Sequence, residues 1–390
     1  MRVLRPSEIY KVSLSCAALT GEATPLRSSH RRSHSPAKLS PASDILIVHT
    51  WGIGDLILLT PALRAVNSLY PQLRCSLLFF PPSAAIPVQG ASYVHNIFYT
   101  KWSLRALLST VIMLNRRKFK AVLFSSGVTH WKAWLFTMLI RAEIKVGEYQ
   151  KTRLPGLSVY SRFDPSISRT KANYNLFGTF LTLPAWEKAL LQRDILNLSP
   201  QFHLRKANLE WAQNYLDTNG LSGKFIVAIH PGCMAKNKYR RWNKEYFITL
   251  IQLLRANYNC EILVISGPDE LDVATEISTN TDTLLLANTS LANVAAVISM
   301  CSFFINTDSS LGHVASCFGI KSITIFGPGN ENQTAPFSEN SHIIRHKTAC
   351  APCIGKKRQV CQVECLALLK PELVFAEVVK LIGIAKRLRQ

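Results

Sequence analysis

The chain has 390 residues, 48% of them apolar, and a formal charge of +21 from 45 basic and 24 acidic side chains. That supports large cores in two domains of ordinary size. The charge favours an anionic partner, yet no nucleic-acid motif or aromatic RNP-like strand accompanies it, so no nucleic-acid partner is expected.

Residues 1–43 are rich in Ser, Arg and Pro and lack strong periodicity; they read as a disordered basic terminus. The apolar run 12–19 is short and broken by serines, which argues against a secretory signal. Ile45–Val48 is an apolar run expected as a buried parallel strand. Gly52 and Gly54 permit a tight turn with close backbone approach. Asp55 then opens a helix that carries Leu56, Leu59 and Leu63 inward. Only G-x-G is present, not a full dinucleotide fingerprint. Asp55 is therefore either a carboxylate displayed at the mouth of a sheet or a helix cap.

In 101–120, Leu104, Leu107, Leu108, Val111, Ile112 and Leu114 form an apolar surface with basic residues at its ends. That suits a helix touching an anionic bilayer, or an ordinary core-packed helix with solvated ends. A boundary between lobes falls around 184–222, giving domains 44–200 and 201–390. A helix pattern, 204–216, and a strand, 225–230, open the second lobe. The uncharged run 283–307 is long enough for a membrane span, but it parses better as strand 284–287, turn, amphipathic helix and strand 303–306. A polar turn follows, then a short helix and strand 322–326. Asp308, Ser309 and Ser310 fall where ligands of open α/β sheets sit and where free helix N–H groups favour phosphate. His313 lies one turn further on. The plainer reading is that Asp308 or Ser309 only caps the helix.

Of ten cysteines, six are scattered like buried thiols of a reducing compartment. Cys350, Cys353, Cys361 and Cys365 have the spacing C-x2-C-x7-C-x3-C. That is compatible with a structural Zn or Fe site at 350–365, or with a loop of free thiols.

Four ordered signatures resemble glycosyltransferase family 9, the heptosyltransferases of lipopolysaccharide core assembly, over most of 44–383. They are the strand and Gly-Ile-Gly-Asp turn at 45–55; IHPG at 229–232 with Lys238, Arg240 and Trp242; ISGPDE at 265–270; and the Asp308–His313 turn with its trailing FGP. The resemblance implies an α/β protein of GT-B fold, with two doubly wound Rossmann-like lobes facing a central cleft. The N-terminal lobe would take the acceptor and the C-terminal lobe the nucleotide sugar. It further implies an inverting transferase that needs no cofactor for transfer. The donor would be ADP-heptose and the acceptor lipopolysaccharide core or a related anionic glycolipid. The protein would be cytoplasmic, peripheral on the inner face of the inner membrane.

Such a transferase must deprotonate an acceptor hydroxyl and neutralise a departing phosphate. Asp55 matches the family's base, and Arg240 stands where the family has a phosphate-contacting Lys. Lys238, Ser309, Ser310 and His313 join it around the phosphate. Asp308 resembles the residue of the donor sugar and phosphate region, Glu270 the ribose ligand, and the backbone near Thr289 the adenine contact. His230 and Trp242 are expected in the core. Two departures stand out: Ser310 replaces a Gly, and Cys233 and Met234 replace a Ser or Thr. A same-fold alternative is an autotransporter-type protein heptosyltransferase, some of whose relatives hold iron with cysteines. The alternative from another class is a non-catalytic sugar-nucleotide or glycolipid-binding protein.

Overall fold

The computed structural model describes residues 9–13, 43–80, 82–127, 138–149, 156–181, 199–353, 361 and 363–382. The chain divides into two compact units, Thr20–His203, and Leu204–Gln390 joined by Met1–Leu19. The first strand in the chain, β1 (Ile9–Ser13), therefore belongs to the C-terminal unit.

The N-terminal unit holds β2 (Asp44–His49), β3 (Arg74–Phe79), β4 (Asn96–Tyr99), β5 (Ala121–Phe124), β6 (Ile144–Tyr149) and β7 (Val159–Arg162). They form a parallel sheet in the order β4-β3-β2-β5-β6-β7. Both faces of β2 are covered. Ile45 and Ile47 pack with Leu56, Leu59, Leu63, Tyr174 and Phe177, while Leu46 and Val48 pack with Val111, Leu114 and Phe124. This is why the strand reads as an unbroken apolar run. The helix expected after Asp55 is two, Ile53–Ile57 and Thr60–Leu69. Pro61 sits at the start of the second, where its missing N–H costs nothing, and Thr60 Oγ1 donates to the Ile57 carbonyl at 2.8 Å.

Helix Leu104–Asn115 is N-capped by Ser103 and buries Thr110, Val111 and Leu114. Leu104, Leu108 and Ile112, four residues apart along one stripe, stay 73%, 48% and 54% exposed. Lys101, Arg105, Arg116, Arg117 and Lys118 are exposed around them. Among the described residues no helix is long and apolar enough to cross a membrane.

The C-terminal unit holds β8 (Ile226–His230), β9 (Glu261–Ile265), β10 (Leu284–Leu286), β11 (Phe303–Thr307), β12 (Ser322–Ile325) and β13 (Ser341–His346). The sheet runs β1-β13-β12-β11-β8-β9-β10, parallel except for β1, which is antiparallel to β13. The run 283–307 folds as strand, turn, helix Leu291–Ser299 and strand, as its polar interruptions require. Trp242 is buried and its indole N–H donates to the Leu369 carbonyl at 2.8 Å, a core role.

One expectation fails. Ile9–Ser13 is not structureless but paired with His342–His346 along the β13 edge. The rest of 1–42 lies outside the described residues.

Leaving aside the antiparallel edge strand β1, in each unit the first strand, β2 or β8, lies beside the fourth, β5 or β11, and the strand order reverses there. Such a reversal opens a crevice beyond the carboxyl ends of the strands, where doubly wound sheets bind ligands. Asp55 follows β2, and Asp308 follows β11.

Candidate functional site

Asp55 sits in the first turn of Ile53–Ile57, but the cap position is Gly52, and no side chain caps the helix. The carboxylate is therefore available for something else. Its Oδ1 accepts a hydrogen bond from Nη1 of Arg169, the first residue of helix Arg169–Phe180. Gly52 and Gly54 do not use left-handed backbone; a Cβ at Gly52 would meet nothing within 4 Å, so the space over this turn is open.

The Arg169 guanidinium lies 4.8 Å from the Trp51 ring centroid, a cation–π distance. It packs on Gly127, where a Cβ would come within 3.1 Å of Cζ. Gly127 has φ +88°, so glycine is required there twice over. The Gly127 N–H donates to Glu148 Oε2 at 2.8 Å, and Ser126 Oγ donates to the same carboxylate at 3.1 Å. Burial pushes the Glu148 carboxyl upward, opposed by those two donors and by the Arg169 charge. Burial also pushes His49 downward, against the Asp55 charge. The Gly52 carbonyl, 3.2 Å from His49 Nε2, can only accept, so Nε2 carries the proton and Nδ1 accepts from Ser125 Oγ at 3.2 Å. Arg169 and Glu148 escaped the sequence reading, and Arg169 meets Asp55 across 114 residues.

In the C-terminal unit, Thr307 Oγ1 donates to the Gly232 carbonyl at 2.7 Å and ties the ends of β11 and β8 together. Asp308 is buried, and its Oδ2 lies 3.1 Å from Arg240 Nη1. A Cβ on Gly329 would stand 2.3 Å from that oxygen, so the Gly-Pro-Gly turn after β12 can pass over the carboxylate only because it is bare. Burial works against the Arg240 charge, but Asp308 and Tyr239 outweigh it and hold the guanidinium protonated more firmly than usual. Lys238 is exposed on the preceding turn, and it is Arg240 that reaches Asp308.

Ser309 is the cap residue of helix Ser310–Ser316, but its side chain makes no capping bond. Its hydroxyl oxygen is buried without a hydrogen-bond partner among the described residues. Ser310 stands in ordinary backbone, so replacing the family's Gly there costs no strain. His313 is buried in the same helix. Gly312 brings this helix onto β11, since a Cβ there would be 2.6 Å from Asn306 Nδ2.

Glu270 is 5% exposed, and its Oε1 accepts from the Gly267 N–H at 2.9 Å. His230 Nε2 is 3.6 Å away, and Arg241 Nη2 lies 4.0 Å from Oε2. Burial pushes the His230 pKa down, with Glu270 and the Ile265 carbonyl opposing. Thr289 is half-buried beside left-handed Asn288, and its Oγ1 accepts from Asn293 Nδ2 at 3.1 Å. The structure thus gathers Arg240 with Asp308, and Glu270 with His230 and Arg241. Asp55 belongs to the other unit.

The described cysteines are free thiols. Burial, then the neighbouring thiols of Cys353, Cys350 and Cys361, push Cys365 up to about 11. Thiols are soft donors of the kind that hold Zn or Fe. Even so, among the described residues no three His, Cys, Asp or Glu side chains stand close enough to hold a metal ion.

The model of glycosyltransferase family 9 (heptosyltransferase) matches residues 112–364. Lipooligosaccharide heptosyltransferase 2 of Campylobacter jejuni is 31% identical over 168 residues, 41% of this chain and 52% of that protein. The match thus spans about half the length of that relative. Lipopolysaccharide heptosyltransferase 3 of Escherichia coli is 23% identical over 74% of this chain and 84% of its own length. Among solved structures, a glycosyl transferase family 9 protein from Veillonella parvula superposes with a TM-score of 0.76 at 16% identity, covering 89% of this chain and 99% of that one. That likeness shows the fold.

Proposed function

The chain belongs to glycosyltransferase family 9, the heptosyltransferases, and on that premise we propose that it transfers heptose from ADP-heptose to a lipopolysaccharide core or a related anionic glycan, with inversion. The observation that carries this is Asp55: a carboxylate at the switch point of a parallel sheet, not used to cap its helix and still partly exposed, three residues from the open turn at Gly52. Asp55 takes the proton of the acceptor hydroxyl. The hydroxyl oxygen keeps its electron pair and bonds to the anomeric carbon as the bond to the nucleotide phosphate breaks.

The donor belongs to the C-terminal unit. Arg240, Ser309, Ser310 and His313 serve the diphosphate, with Lys238 at its rim. Asp308 accepts from sugar hydroxyls, Glu270 faces the ribose, and the backbone at Thr289 meets the base. The Gly267 N–H takes Oε1, and Oε2, with Arg241 Nη2 4.0 Å away, is the oxygen left to accept from a ribose hydroxyl. Cations and fixed donors neutralise the leaving group, so transfer requires no cofactor.

The exposed stripe of Leu104, Leu108 and Ile112 with its basic surround fits the headgroup boundary of an anionic bilayer. This supports peripheral association with a membrane surface, and we propose the inner face of the inner membrane from the family resemblance. We further propose that the four-cysteine loop closes on one structural Zn or Fe ion, which takes no part in transfer. Elemental analysis of protein purified without added metal checks this; metal content unaltered in a Cys350→Ser, Cys353→Ser double variant overturns it.

The proposed activity is tested by thermal shift with ADP-, UDP- and GDP-sugars, followed by a transfer assay with the stabilising donor. Stabilisation by ADP-heptose with transfer to a core acceptor is expected. Binding without transfer or hydrolysis leaves a sugar-nucleotide-binding protein.

A further inference from the structure

We propose that Arg169 is a positioning residue for Asp55, fixing one carboxylate oxygen so that the other is aimed at the acceptor hydroxyl. The proposal rests on the reading of Asp55 as the base. The two oxygens of Asp55 are not equivalent. Oδ1 is taken by Arg169 Nη1, and Oδ2 has no hydrogen bond among the described residues. Free carboxylates rotate and present either oxygen; one tied to a guanidinium presents a defined lone pair.

Arg169 is itself fixed. It starts helix Arg169–Phe180, where the Ser168 side chain caps the Lys171 N–H. Its guanidinium lies over Trp51 and against the bare α-carbon of Gly127. Its side chain is 12% exposed, so it does not wander into solvent.

Proton transfer poses an electrostatic difficulty that the surroundings resolve. When Asp55 Oδ2 takes the acceptor's proton, the ion pair loses its negative partner. Arg169 would then be a largely buried cation without a counter-charge, which is costly. Glu148 is held by the Gly127 N–H and Ser126 Oγ, and interacts electrostatically with Arg169. The two donors and the Arg169 charge favour its ionised form against burial, and in that form it keeps a counter-charge beside Arg169 when Asp55 is neutralised. The Gly127 peptide joins the parts: its N–H holds Glu148, and its missing side chain admits Arg169.

The test compares Arg169→Ala, Arg169→Lys and Asp55→Asn in the full chain. It measures kcat, KM for each substrate, calorimetric donor affinity, and rescue by added guanidinium. Misplacing a reacting group by about 1 Å costs on the order of 10²-fold, and Arg169→Ala is expected to lose about that in kcat. Donor affinity should hold. Guanidinium should restore part of the rate to Arg169→Ala and none to Asp55→Asn, with Arg169→Lys intermediate. If Arg169→Ala keeps turnover within about twofold, or loses it with no response to guanidinium, the positioning role is overturned while the base reading stands. If Arg169→Ala does not fold, Arg169→Lys decides: parental kcat overturns the proposal, and lowered kcat at parental donor affinity supports it. If Asp55→Asn itself turns over normally, the base reading falls and takes this inference with it.

Discussion

Arg240 and Asp308 face each other 3.1 Å apart, so the cation proposed here to meet the diphosphate is already paired before any ligand arrives. An incoming diphosphate must draw the guanidinium away from a buried carboxylate. That competition favours a ligand offering Asp308 hydroxyls in exchange; on the proposed arrangement the donor sugar does so, while the ribose hydroxyls of a bare nucleotide go to Glu270.

Arg240→Ala should therefore weaken ADP and nucleotide-sugar binding alike, by about 10–10²-fold, or roughly 1.4–2.8 kcal/mol. Asp308→Asn should weaken the nucleotide sugar more than ADP. Isothermal titration of both ligands against both variants checks the contrast; equal losses for Asp308→Asn would remove the sugar from its side chain.

Asp55→Asn keeps the size of the side chain and can still hydrogen-bond, but it cannot take up a proton. Turnover should fall by about 10²–10⁴-fold while donor affinity is unaltered. Steady-state transfer beside calorimetry measures both. Near-parental turnover would mean that Asp55 serves its helix or Arg169 alone.

The positions of Asp55 and Asp308 beyond strand ends were legible because their signals are contiguous: a strand, a turn and a helix start within about ten residues, a pattern that chain order preserves. Arg169 and Glu148 carried no such signal, since each gains meaning only across the sheet from a residue far off in sequence. The stripe at Leu104, Leu108 and Ile112 was ambiguous for another reason. A helix face turned to solvent and one turned to a core share the same period, and only burial separates them. Ile9–Ser13 lacks the apolar weight of an interior strand, and its pairing depends on an edge at the other end of the chain.

Gly232→Ala should destabilise the C-terminal unit by about 1–3 kcal/mol, the usual range for overpacking. A Cβ there would lie 2.2 Å from Glu270 Cγ, and Glu270 is held by the Gly267 N–H and cannot simply swing away. Denaturant unfolding measures the loss. Gly52→Ala, which meets nothing within 4 Å, is the control expected to stay close to the parent.

Stability should fall as pH drops below about 6.5. Burial depresses both His49 and His230 below that ordinary value. Above it both states are neutral and stability is fully present. Below it the unfolded chain binds protons that the folded protein refuses, so stability is lost by up to about 1.4 kcal/mol per pH unit for each histidine. Thermal unfolding between about pH 7.5 and 5.5 should show the decline, with a shallower slope in His230→Asn; identical slopes would count against it.

Leu104→Asp with Leu108→Asp should reduce binding to vesicles containing acidic lipid by about tenfold or more. Both side chains are solvent-exposed, so folding should be little affected. Vesicle co-sedimentation checks this, and parental binding that ignores salt would separate the protein from the bilayer surface.

The pairing of β1 with β13 also bears on the order in which the protein can be built. On the ribosome, Ile9–Ser13 emerges long before Ser341–His346, so the outermost ladder of the C-terminal sheet must wait until the strands between them have been synthesised. Until then the early strand has no mate and contributes nothing to the nucleus, and the late strand is born onto a sheet already assembled. A chain begun at Asp44 would fold its sheet and leave the β13 backbone as an open edge, a template for a second chain.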